Sequence, residues 1–106
     1  MATVTDNYFK GNTYTRTVNA GDDLQVELFG DDNRPGAICT VVVTGTTITG
    51  NVYYATSPTP VSDNRGVLAE GGALTAVDSA GFSFDTQITG IKVEATTNTH
   101  TVDIIG

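Results

Sequence analysis

Apolar and polar positions alternate along much of this chain with a period of two, the pattern of strands that bury one face. Leu24, Val26 and Leu28 alternate with Gln25, Glu27 and Phe29. Ile91, Val93 and Ala95 alternate with Lys92 and Glu94, and Phe82 with Phe84 around Ser83. Residues 13–18 alternate β-formers with polar groups, and residues 100–105 form a last strand pattern. No window of helical length carries a 3.6-residue period.

Turn signals separate these runs. They are Asn19-Ala20-Gly21-Asp22, the loop Gly30 to Gly36, Asp85-Thr86-Gln87 and Thr97-Asn98-Thr99. A hairpin is predicted from residues 37–44 and 47–55, with Gly45-Thr46 as a tight turn of the glycine-first type. Gly50 inside its return strand marks a bulge. Ser57, Pro58 and Pro60 end that strand. A second hairpin places residues 67–70 and 73–77 on either side of Gly71-Gly72. Residues 1–12 lack a clear period and read as an N-terminal arm, leaving residues 13–106 as one β domain. The prediction is an all-β, single-domain β-sandwich or jelly-roll-like fold of about seven to nine short antiparallel strands.

Composition agrees. The chain has 106 residues and 39% apolar residues, enough for one modest core. Thr and Val are abundant and Trp is absent, and β-branched side chains suit a pleated surface. The formal net charge of −7 repels phosphate backbones and anionic bilayers. The expected partners therefore include neither nucleic acid nor membrane. Cys39 is the single cysteine, so no internal disulfide forms. The first residues lack the basic and apolar regions of a signal peptide, and synthesis in a reducing cytoplasm is the expectation.

The chemistry-bearing residues are sparse. His100 is the lone histidine, and no nucleophile motif accompanies it. Cys39 lies in an apolar run and reads as a small core residue rather than an electropositive, exposed nucleophile. No catalytic residue and no cofactor is expected. Asp31, Asp32 and Asn33 are the one candidate set for Ca²⁺, which takes loop oxygens, although Asp and Asn are also ordinary turn formers. Asp22-Asp23 lies at the other end of a strand about 20 Å long, too far to share that ion. Tyr8, Phe9, Phe29 and Tyr53 are the candidate partner-binding residues. Tyr8 and Phe9 sit in the predicted arm, while Phe29 and Tyr53 fall out of phase with the inward residues of their strands. Exposed aromatics mark interfaces.

The stretch from Phe84 through Ile88, Ile91 and Val93 to Ala95, followed by His100 to Gly106, resembles the closing hairpin of small virion proteins of tailed bacteriophages. The Thr-, Gly- and Val-rich acidic texture of the whole chain is similar. The resemblance implies a non-enzymatic structural protein, made in the host cytoplasm and carried in the virion. It would decorate or cement a capsid, self-associate as a homotrimer, and dock on the major capsid protein. The alternative is a carbohydrate-binding or adhesion module, Ca²⁺-assisted through Asp31, Asp32 and Asn33.

Overall fold

Each strand predicted from two-residue alternation is present in the computed structural model, which describes residues 2–56, 68–95 and 97–106. The described strands are β1 (Thr3–Phe9), β2 (Tyr14–Val18), β3 (Asp23–Phe29), β4 (Thr40–Ala55), β5 (Leu68–Ser83), β6 (Gly90–Ala95) and β7 (His100–Ile105). A 3-10 turn, Asp31–Asn33, follows β3. No helix among the described residues is long and apolar enough to cross a membrane. The fold is all-β, as the alternation requires.

The strands form one sheet in the order β1-β3-β6-β4-β7-β2, with β5 beside β4. The first part of β4, Thr40 to Gly45, pairs with β7. Its last part, Gly50 to Ala55, pairs with β6. Along its other edge β4 pairs with β5 from Thr40↔Ser83 to Ala55↔Leu68. The β4–β5 pair therefore belongs to two layers, and the sheet folds over at the middle of β4. One layer holds β1, β3, β6 and the second half of β4. The other holds β2, β7 and its first half.

The fold-over has visible causes. Thr47 takes a left-handed φ of 50°, and the β4–β5 register shifts between Thr44 and Ile48 and again before Gly50. Such bulges bend a strand and leave backbone groups unpaired. Side chains from neighbouring segments satisfy them. Asp78 Oδ1 accepts from the Thr47 amide at 2.9 Å, and Thr97 Oγ1 donates to Thr47 O at 2.8 Å. Asn98 Nδ2 donates to Thr46 O at 2.6 Å.

One core fills the space between the layers. It joins Leu24, Val26 and Leu28 of β3, Ile91 and Val93 of β6, Val41, Val43, Ile48 and Val52 of β4, and Val102 and Ile104 of β7. The outermost strands of the two layers meet through side chains. Tyr14 of β2 donates its hydroxyl to Asp6 of β1 at 2.6 Å, and Arg16 lies 3.4 Å from the same carboxylate. The folded sheet is thus almost closed into a barrel.

Four expectations change. Residues 3–9 are not an arm but strand β1, paired in parallel with β3 from Thr3↔Asp23 to Phe9↔Phe29. Its polar side chains hid the pattern, because main-chain pairing to β3 is indifferent to them. That pair also breaks the all-antiparallel expectation. Gly45-Thr46 is not a hairpin turn, since β4 runs through it for 16 residues. Gly71-Gly72 likewise lies inside β5, where Gly72 faces Val52. Glycine there serves close approach rather than a turn: a Cβ at position 72 would collide with the Phe82 ring. The expected strand end at Ser57, Pro58 and Pro60, and the strand start at Val67, lie outside the described residues.

Candidate functional site

Register places three of the four candidate aromatics on one surface. Residues paired across the ladder share a face, and alternate residues share it along a strand. Thr3, Thr5, Asn7 and Phe9 of β1 face outward beside Asp23, Gln25, Glu27 and Phe29 of β3. Lys92 and Glu94 of β6 lie opposite Gln25 and Asp23. Asn51 and Tyr53 of β4 continue the same rows. Phe9 and Phe29 stack with ring centroids 5.1 Å apart and planes 17° apart. Phe9 is 37% exposed, and Tyr53 is half-buried. Tyr53 stands two strands from Gln25, about 10 Å at ordinary strand spacing. The result is a polar outer face with an aromatic stack at one end and a tyrosine near its far side.

Tyr8 points the other way. It is the most C-terminal inward residue of β1 and is buried in the core. Its assignment as an exposed contact is corrected: odd and even residues of a strand face opposite sides, so Tyr8 and Phe9 cannot both lie outside. Its hydroxyl has no hydrogen-bond partner among the described residues, and burial pushes the phenol's pKa up. A cleft of about 220 Å³ borders it, lined by Tyr8, residues 11–13 and residues 104–106.

The end of the outer face away from the aromatic stack carries charge. Asp23 lies directly opposite Glu94. Burial, and next the Glu94 carboxylate, raise the Asp23 pKa, while Lys92 opposes them. Lys92 Nζ itself sits 3.3 Å from Glu94. A pKa raised on folding means that the ionised form favours the unfolded chain. Stability linked to Asp23 is therefore present below its ordinary value and lost as pH rises through its folded value. Asp23→Asn is expected to stabilise the domain at pH 7 by less than about 1 kcal/mol, the scale of a cross-strand pair. The gain should vanish near pH 3. Urea midpoints at the two pH values check this, and an equal gain at both would contradict the linkage.

The remaining sequence candidates do not assemble. Asp31 lies 3.6 Å from Lys10 Nζ, and Asp32 and Asn33 are exposed residues with φ of 56° and 58°. Arg34 N donates to Asp31 O at 3.1 Å, closing the turn. Among the described residues no three His, Cys, Asp or Glu gather as a metal site. Asp31, Asp32 and Asn33 form the 3-10 turn after β3. His100 is buried, and its Nδ1 lies 3.0 Å from the backbone oxygen of Asn98. Cys39 is buried too, and burial pushes its thiol up to about 11.

Sequence reasoning did not find Gln25 or the Asp6–Tyr14–Arg16 cluster. Gln25 is buried although it lies in an outward row, between Thr5 of β1 and Lys92 of β6. Asp6 joins Tyr14 only through the closing of the sheet. Neither fact has a local signal.

The site is the outer face of an all-β, sandwich-like domain. No protein-family model and no curated protein matches this chain. Among solved structures it is similar to the pre-peptidase C-terminal domain of a collagenase from Bacillus anthracis, at 13% identity, over 95% of this chain and 92% of that one, with a TM-score of 0.42. It is also similar to PliG of Aeromonas hydrophila, a periplasmic inhibitor of g-type lysozyme, at 11% identity, over 97% of each chain, with a TM-score of 0.41. A third is the carbohydrate-binding module CBM_E1 from a sugar cane soil metagenome, at 11% identity, over 97% and 91%, with a TM-score of 0.35. Likeness of this degree carries no argument about what the chain binds.

Proposed function

We propose that this domain is a non-enzymatic structural protein of a virion, of the capsid-decorating kind. It associates with copies of itself and docks on a larger shell built by the major capsid protein. The observation that carries this reading is the Phe9–Phe29 stack, exposed through Phe9, on a polar outer face that also holds Tyr53. Apolar rings rimmed by polar groups are the composition of a docking patch. The sequence resemblance and the strong acidity point the same way. The test is co-sedimentation of the purified protein with phage heads that lack it. Wild-type protein is expected to pellet with the heads, and Phe9→Ser to bind at least tenfold more weakly with an unchanged melting temperature. No pelleting by wild-type protein defeats the proposal.

The same face supports one second reading. Phe9 and Phe29 lie one row from Asn7 and Glu27, so an apolar ring platform adjoins hydrogen-bonding groups. Such a surface suits a glycan chain. Binding to a glycan array that disappears in Phe9→Ser would favour this reading, without a requirement for Ca²⁺.

A further inference from the structure

Among the described residues the second half of β5 is an open sheet edge: β5 pairs with β4 alone, and no described strand lies along its other main-chain edge. Unpaired edges template further strands, and natural proteins blunt them with lysine, proline, charge or bulges. On β5 such features lie in its first part and middle: Glu70 and the register shift opposite Val52 and Tyr53 come first. Ala76 has a left-handed φ of 49°, and the neighbouring Asp78 is the one charged residue from position 71 to 83. Beyond it the ladder runs without a break from Thr44↔Ser79 to Thr40↔Ser83. That segment, Ser79-Ala80-Gly81-Phe82-Ser83, contains no charge and no proline. A Cβ at Gly81 would meet nothing within 4 Å.

We propose that this edge pairs with the same edge of a second copy, antiparallel about a twofold axis at Gly81. The inference rests on the reading of the chain as a self-associating structural protein, and it replaces the expected trimer by a twofold pair. The segment is nearly palindromic in size and polarity. A register centred on Gly81 sets Ser79 opposite the partner's Ser83, and Ala80 opposite the partner's Phe82. Asp78 falls opposite Phe84, so no like charges oppose each other. Ala80 and Phe82 already pack on the core, and the partner's matching residues extend that packing. Exposed Ile38, at 52%, adjoins Cys39, whose carbonyl accepts from Phe84 N at 3.0 Å. The two acidic chains repel, and salt screens that repulsion. Pairing should therefore strengthen as salt rises, opposite to an interface held by salt bridges.

Light scattering on the full chain at about 100 µM tests this in 20 mM and 500 mM NaCl. The expected mass is twice the 11.0 kDa of one chain, with a larger paired fraction at high salt. Gly81→Lys sets two cations against each other at the axis. It is expected to weaken pairing at least tenfold while the melting temperature of the monomer holds. Phe9→Ser, on the other layer, should leave the pair intact. A monomer at both salts, a mass of three chains, or a pair indifferent to Gly81→Lys overturns the inference. A monomer that still pellets with phage heads would do so without harming the docking proposal. A pair that fails to pellet would leave this inference standing alone.

Discussion

Replacing Gly50 by alanine is expected to cost more than about 4 kcal/mol, a size reserved for buried collisions and similar faults. Gly50 lies where β4 leaves its bend and joins β6, paired with Ala95 on β6 and Leu74 on β5. A Cβ there would overlap the carbonyl oxygen of Glu94 and sit 2.8 Å from the Ala95 Cα. Both obstacles are backbone, so no side-chain rotation relieves them. Relief would require β4 and β6 to part, which would break the ladder that holds β6 to the second half of β4. A domain of this size has roughly 5–15 kcal/mol of stability, so the variant should be marginal or unfolded. Urea titration gives the comparison, with Gly81→Ala as the control. That site has open space, and its change should stay within about 1 kcal/mol. A Gly50→Ala midpoint equal to wild type would mean that the two backbones do not meet as described.

Ile91→Ala is expected to cost about 3–4 kcal/mol, within the usual range for emptying a core site. Ile91 is fully buried on β6. It is flanked in register by Val26 of β3 and Tyr54 of β4. Three rigid strands surround the space that three lost carbons would leave, so collapse is limited and the cavity term stays large. A valine at the same place keeps most of the volume and should cost about 1 kcal/mol. Chemical denaturation of both variants measures the ratio. A cost below about 1 kcal/mol for alanine would show that the layer relaxes around the site.

The docking face and the open edge depend on different parts of the sheet. Phe9 and Phe29 belong to the layer of β1, β3 and β6, whereas Gly81 lies opposite Val42 in the layer that holds β7. A twofold pair through β5 would therefore present two docking faces at once. Two weak contacts on one rigid pair bind a repeating surface far more tightly than either alone.

The alternation of Leu24, Val26 and Leu28, and of Ile91, Val93 and Ala95, marked the chain as all-β and showed which residues of β3 and β6 enter its core. Side-chain period is a local property, so strands β2, β3, β6 and β7 were legible, as were the outward positions of Phe29 and Tyr53. Glycine was where local reasoning failed. Gly45, Gly71 and Gly72 carry turn chemistry in isolation. In the folded chain they sit inside strands, where β4 bends or the Phe82 ring comes close. Strand β1 was hidden for a related reason, because its partner is distant in sequence and its polar residues show no alternation. That pairing decided that Tyr8 is core and Phe9 is surface. Most strands thus bury one face. Only the tertiary structure decided which edges pair, because pairing depends on backbone groups that every residue shares and that no side-chain pattern records.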